Sequence, residues 1–182
     1  MNETVDILKI NEEIARKFRK IEESLPSSCT IKDLFEKLLI QIEEEFHIPF
    51  VWISILNEGN VIDVIKVFKA SKILKDRINI LDRKVFLDLV AEGTMPKLIN
   101  DNLKPFYKLL PRNKKYFIKS LAVAPMTLNS EIIGSMNYGD FSSLRYQPGM
   151  DTTLLEKLAF NVSARLSAIK AGEDDICNET IK

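Results

Sequence analysis

Hydrophobic and polar positions change period most clearly between residues 118 and 169. Residues 118–139 contain two apolar runs separated by a short polar break, a pattern that predicts a β-hairpin. From Leu155 to Ile169, apolar residues recur at spacings of three and four, which predicts an amphipathic helix. We expect the upstream chain to pack against this hairpin and its closing helix.

The expected turn of the hairpin fixes which residues of the two strands lie opposite each other. A two-residue loop at Asn129 and Ser130 would pair Ala124 with Ser135 and Ala122 with Asn137. Because side chains alternate across a strand, one face is then bulky and apolar and should meet a helical layer. The other face is small and polar, and it is formed by Ser120, Ala122, Ala124, Ser135 and Asn137.

Two helices and two strands are predicted in the first 70 residues. Helices are expected over residues 3–24, which Pro26 ends, and after Thr30, which is a suitable N-cap. Residues 50–56 read as a buried strand, and residues 61–68 as a second strand after a turn. Trp52 and Ser54 would face the small polar side of the hairpin, either as the floor of a ligand site or as part of a second packed core.

A family resemblance lies in the last third of the chain. The strand IIGSMNYG, the loop LRYQPGMD at residues 144–151 and the helix LLEKLAFNVSARL resemble the end of a GAF domain. They resemble in particular a bacterial GAF-like family of unknown function with a (Phe/Tyr)-(Gln/His)-Pro-Gly-Met loop. The resemblance implies an α+β fold with an antiparallel sheet of about five to six strands. It also implies N- and C-terminal helices on one face of the sheet and loops or short helices on the other. PAS and profilin-like folds are the competitors, and the helices at both chain ends favour GAF.

The same resemblance divides the chain and suggests its surfaces. We expect a dimerisation helix at residues 1–26, a GAF-like domain at 27–172 and a flexible tail at 173–182. The lid would carry Phe106, Tyr107 and Tyr116, which completes a candidate ligand site of Trp52, Ser54, Phe106, Tyr107, Tyr116, Ser120, Ala122, Ser135 and Asn137. The expected dimer interface is Ile7, Ile14, Phe18, Ile21, Leu158 and Val162, with an intrachain helix pair in a monomer as the alternative.

Composition and motifs exclude several function classes. The 26 basic and 26 acidic residues balance, so no electrostatic footprint for nucleic acid or an anionic membrane is present. One histidine, and two cysteines outside any CxxC, favour neither a metal site nor a catalytic triad, so we expect no enzyme. No apolar run approaches the length of a membrane span and no signal-peptide pattern is seen, so a cytoplasmic protein is expected.

Two functions follow as expectations. The first is a non-catalytic sensory module that binds a small organic ligand between sheet and lid, and signals to a partner protein through its terminal helices in a homodimer. The second is a structural dimerisation or protein-interaction module without a ligand. The sequence identifies neither the ligand nor a cofactor.

Overall fold

The computed structural model describes residues 2–111 and 117–172, which form an α+β fold with helices on both faces of one sheet. Short 3-10 turns cover Leu25–Ser27, Gly59–Val61 and Lys104–Leu109. The helices are α1 (Asn2–Ser24), α2 (Ile31–Phe46), α3 (Ile62–Ala70), α4 (Arg83–Val90) and α5 (Thr153–Lys170). The strands are β1 (Phe50–Leu56), β2 (Ile78–Leu81), β3 (Lys97–Ile99), β4 (Ser120–Leu128) and β5 (Glu131–Asp140).

The sheet is mixed rather than wholly antiparallel, which corrects the expected topology. Its five strands lie in the order β2-β1-β5-β4-β3, and β1 and β2 are parallel while the other neighbours are antiparallel. A parallel pair needs a crossover connection, and α3 provides it between β1 and β2.

The strand predicted at residues 61–68 is wrong, because this segment is a 3-10 turn followed by α3. Val61, Val64, Ile65 and Phe68 are buried, at spacings that place them on one face of a helix. The many β-branched residues favoured a strand, but burial of one helical face outweighs that local preference.

The sheet separates two cores. On one face, α1, α2, α3 and α5 enclose a core that includes Ile53 and Met136; this is the helix face. On the other, α4 and the turn at residues 104–110 cover a smaller core that includes Trp52 and Leu121; this is the lid face. The N- and C-terminal helices therefore pack on the same face, as the sequence predicted.

The β4–β5 hairpin has the predicted turn but not the predicted register. Leu128 pairs with Glu131 across Asn129 and Ser130, whose φ angles are both positive. Between Thr127 and Met126 the register shifts, so that Thr127 lies opposite Ile132 but Met126 lies opposite Gly134. The extra residue is a β-bulge, and it turns every later residue of the strand to the opposite face. The observed pairs are Ala124 with Met136, Ala122 with Tyr138 and Val123 with Asn137.

Gly134 and a contact from α5 explain where the bulge lies. Gly134 has φ +154°, and a Cβ atom there would lie 2.0 Å from the backbone oxygen of Ser54 on β1. The backbone N–H of Thr127 donates to Ser163 Oγ at 3.0 Å, and Ser163 Oγ donates to the Ala159 carbonyl at 2.7 Å. Glycine at position 134 therefore allows the close approach of β1, and Ser163 pairs with the Thr127 N–H group at the bulge.

Helix α1 is longer than the surface it covers. Ile21 near its C-terminal end and Leu25 in the 3-10 turn that follows are buried in the helix-face core. Residues 3–14 are all exposed and are named the overhang; they extend about 18 Å along the helix axis. The apolar stripe of α1 continues into the overhang, where Ile7 is 58% and Ile10 56% exposed.

Candidate functional site

The structure brings together four of the residues predicted to bind a ligand. Trp52 pairs with Asn137 and Ser54 with Ser135 across β1 and β5, so the four side chains share the lid face. All four are buried. This part of the predicted surface therefore exists as a cluster of side chains.

The cluster is filled by the chain itself. Trp52 Nε1 donates to the Leu109 carbonyl at 2.7 Å, and Ser54 Oγ lies 3.1 Å from the same oxygen. With the Asn137 amide oriented so that both of its polar atoms are paired, its nitrogen donates to Ser135 Oγ at 2.8 Å. Its oxygen then accepts from the Ser54 backbone N–H at 3.2 Å. Each polar group of the cluster thus has a partner within the chain, which is the arrangement of a packed polar core.

Ala122 and Ser120 lie on the other face of the sheet. The bulge places Ala122 beside Tyr138 in the helix-face core, and Ser120, two residues away, shares its side. Ser120 Oγ donates to the Ser142 carbonyl at 2.6 Å. These two residues and the Trp52 cluster therefore do not share one surface, because the predicted hairpin lacked the bulge.

Two of the three aromatic residues of the expected lid lie on the lid face. Phe106 and Tyr107 are half-buried and pack against the lid-face core. Lys97 Nζ lies 5.2 Å from the centre of the Phe106 ring. Tyr116 lies outside the described residues, so its predicted role in the lid stays a prediction.

The predicted dimer interface divides into buried and exposed residues. Ile21, Leu158 and Val162 are fully buried in the core of the same chain, so they are not available to a second copy. Phe18 is half-buried and packs on Phe46, with ring centres 4.8 Å apart. No feature of the sequence marks this division, because one continuous apolar stripe runs through both halves of α1. Of the predicted interface residues, Ile7 and Ile14 are exposed.

A groove on the helix face lies where α1 leaves the domain. It has a volume of about 700 Å³ and runs between α1, α2 and the segment that leads into α5. We name it the helix-side groove. It is lined by Asn11, Ile14, Lys17, Phe18, Ile42, Phe46, Ile48, Leu98, Tyr138, Arg145, Tyr146, Met150, Asp151, Thr152, Leu154, Leu155 and Leu158.

Two tyrosine hydroxyls are buried in the wall of this groove. Tyr138 is 2% exposed, and its hydroxyl has no hydrogen-bond partner among the described residues. The hydroxyl of Tyr146 is also buried, and the Arg145 guanidinium carbon lies 5.9 Å from the centre of its ring. Burial raises the pKa of both hydroxyls, and the neighbouring Tyr146 raises the pKa of Tyr138 further. Both groups are therefore protonated at neutral pH and can donate a hydrogen bond.

Arg145 fixes the loop of the resemblance motif against α2. Its guanidinium donates to the Asp140 carboxylate at 3.0 Å and to the carbonyl of Phe46 at 2.5 Å. The second bond satisfies a free carbonyl at the C-terminus of α2, where positive charge is also favourable. The loop motif therefore has a structural explanation, since it holds Tyr146 over the helix-side groove.

Sequence reasoning missed Tyr138 and Arg145 as site residues. The expected hairpin pairs Tyr138 with Leu121 on its bulky face, where the sequence predicts packing against helices, and Tyr138 does face the helices. The available signal was its hydroxyl, because a buried tyrosine needs a partner and its helix-facing neighbours Met136 and Ala122 are apolar.

The remaining chemistry of the described residues is sparse. His47 is exposed and ends α2 with φ 51°. Within residues 2–111 and 117–172, no group of three or more His, Cys, Asp or Glu side chains is placed to hold a metal ion. None of the helices in these ranges is both long and apolar enough to cross a membrane.

Comparisons with known proteins assign the chain to no family. No family model matches the sequence, and no curated protein matches it. The function of these surfaces has to be inferred from their geometry and chemistry.

Proposed function

We propose that the chain is a non-catalytic interaction module that forms a homodimer through the overhang of α1. The observation that carries the proposal is the continuation of the apolar stripe beyond the domain. Ile7, Ile10 and Ile14 lie on the helix face that further along buries Ile21 and Leu25. The same stripe is buried in the core in the C-terminal half of α1 and exposed in the N-terminal half.

Covering this stripe would be favourable. Burial of apolar surface contributes about 25 cal/mol per Å², and a large isoleucine patch on one helix face is unusual for a monomer. The spacing of Ile7, Ile10 and Ile14 is that of positions a, d and a of a heptad. A second helix can therefore pack along the overhang.

The charges of α1 favour a second copy in antiparallel orientation as the occupant. Residues 3–13 carry four carboxylates and one lysine, whereas residues 16–20 carry four cations. In an antiparallel pair centred between Ile10 and Asn11, Glu3 and Asp6 of each helix lie level with residues 15–18 of the other. Lys17, three residues after Ile14, is the cation that lies on the side of the stripe and can meet the partner's Asp6. Such an interface is self-complementary, as a two-fold dimer requires.

A test of the interface has to distinguish a substitution in the apolar stripe from a substitution elsewhere on the same helix. Ile7→Glu places a charge in the proposed interface twice per dimer, so we expect light scattering to give the mass of one chain. Val5→Glu is the matched control, because Val5 is 48% exposed on the opposite side of the same helix. We expect this control to keep the mass of two chains. A wild-type mass of one chain, or dissociation by both variants alike, would refute the proposal.

The orientation has its own test. Asp6→Lys and Lys17→Asp should each weaken association, because each brings like charges together in the antiparallel pair. The double variant exchanges the two charges and should regain most of the affinity in sedimentation experiments. A double variant that is weaker than either single variant would contradict the antiparallel arrangement.

A GAF-like sensory function with a ligand on the lid face stays a prediction. The support for it is the presence of Trp52, Ser54 and Asn137 on one surface. The hydrogen bonds that pair these groups with each other and with Leu109 favour a packed core there instead. The dimerisation module is therefore the function that the geometry supports best.

A further inference from the structure

The buried hydroxyl of Tyr138 is a donor without an acceptor. Its ring stands on β5 on the helix face, and its side chain lines the helix-side groove. A buried polar group that lacks a hydrogen bond costs about 1–3 kcal/mol. Native proteins rarely retain that cost without a compensating role, so the hydroxyl marks a position where an acceptor would be stabilised.

The walls of the groove define the rest of the ligand. Around Tyr138 they are apolar and partly aromatic, with Phe18, Phe46 and Leu155 half-buried at the edges of the core and Leu158 fully buried. Such walls favour a mainly apolar molecule, and a volume of about 700 Å³ is within the range of small-molecule sites.

The charged side chains of the groove argue for a neutral ligand. Arg145 is paired with Asp140 at 3.0 Å, and Lys17 lies 3.6 Å from Glu13. The Asp151 carboxylate accepts from the backbone N–H of Thr153 at 2.9 Å and from its hydroxyl at 2.6 Å. An ionised ligand would lose water in an apolar groove whose charges already have partners, which is costly.

We propose that the helix-side groove binds a mainly apolar, uncharged small molecule whose carbonyl-type oxygen accepts a hydrogen bond from the Tyr138 hydroxyl. The site shares Asn11 and Ile14 with the overhang, and the rest of its lining lies outside the overhang. It lies on the opposite face of the sheet from the cluster of Trp52 and Asn137.

A pair of probe molecules isolates the proposed hydrogen bond. Acetophenone and ethylbenzene have the same apolar ring, and only acetophenone carries a carbonyl oxygen. In protein-observed NMR titrations of the full chain we expect acetophenone to bind more tightly and to shift signals of Tyr138 and Leu158. We expect Tyr138→Phe to weaken acetophenone about three- to tenfold, the range of one hydrogen bond, and to leave ethylbenzene unchanged.

Control variants test whether the change in probe affinity is specific to the Tyr138 hydroxyl. Tyr107→Phe removes a hydroxyl from the lid side and should leave the affinity for both probes unchanged. Because Tyr138→Phe keeps the ring, we expect it to fold with a raised melting temperature. The proposal is overturned if acetophenone shifts no groove signals at millimolar concentration. It is also overturned if ethylbenzene binds equally well, or if Tyr138→Phe weakens both probes alike.

The ligand site and the dimer can fail separately. Repeating the titration on Ile7→Glu measures the groove in a chain with an altered overhang, and Ile7 is outside the groove lining. We expect unchanged acetophenone affinity in this variant. If binding is lost together with dimerisation, the groove is not a site of the single chain and the proposal is wrong.

Discussion

The polar cluster of the lid face and the Tyr138 hydroxyl of the helix face differ in their hydrogen bonds. On the lid face, the side chains of Trp52, Ser54 and Asn137 bond to each other or to the Leu109 carbonyl. On the helix face, the hydroxyl of Tyr138 is equally buried but has no partner among the described residues. A polar cluster is therefore a poor marker of a binding site unless its hydrogen bonds are followed to their ends.

The comparison also distinguishes polar groups that are hydrogen-bonded within the fold from polar groups that remain available to a ligand. The Leu109 carbonyl occupies the position on the lid face that a ligand acceptor would otherwise take, 2.7 Å from Trp52 Nε1. In the described part of the chain, no backbone carbonyl accepts a hydrogen bond from the Tyr138 hydroxyl. Four substitutions test this comparison.

Trp52→Ala should cause the largest effect, because it removes a fully packed indole and the shorter of the two hydrogen bonds to the Leu109 carbonyl. We expect the free energy of unfolding to fall by about 3–5 kcal/mol in urea denaturation. Acetophenone affinity should not change, since Trp52 lies on the other side of the sheet. A loss below about 1 kcal/mol would mean that the lid face is open and loosely packed, against the present account.

Gly134→Ala tests the bulge that assigns residues to the two faces. Its Cβ would collide with the Ser54 backbone oxygen at 2.0 Å, and φ is +154°. We expect a loss of about 2–3 kcal/mol in the free energy of unfolding. Gly59→Ala is the control, because a Cβ there meets nothing within 4 Å. Equal effects of the two substitutions would show that the bulge does not depend on Gly134.

Arg145→Ala removes the side chain that holds the loop over the helix-side groove. Asp140 is 8% exposed and would lose its cation, so we expect a loss of about 2 kcal/mol in unfolding free energy. Lys37→Ala breaks the exposed pair with Asp33 and should cost below about 0.5 kcal/mol. If both variants behave alike, the loop is not anchored by Arg145.

Local patterns in the sequence predicted much of the fold. The stripes of α1, α2 and α5 and the runs of β1, β4 and β5 have the periods of their elements, and the turn at Asn129 and Ser130 is confirmed. The α3 segment was misread, because its β-branched residues favour a strand although its buried positions are helical.

The site could be predicted only in part, because one backbone detail decides it. A glycine such as Gly134 inside a strand pattern is a recognised sign of a bulge. Glycine is required here because the backbone approaches Ser54, which lies on a strand 80 residues earlier in the chain. Without that contact, Ala122 is assigned to the wrong face. Similarly, the stripe of α1 does not reveal where the domain ends, so Ile21 and Ile7 were expected to act alike.

Tyr138→Phe has the smallest expected effect on stability and tests the central claim most directly. We expect the free energy of unfolding to rise by about 1 kcal/mol, because the substitution removes only an unpaired buried hydroxyl. Tyr107→Phe should not be stabilising, which controls for a general effect of hydroxyl removal. A rise confined to Tyr138→Phe is the result that the account predicts. A fall of about 1 kcal/mol would contradict it, because the hydroxyl would then already be paired in the native chain.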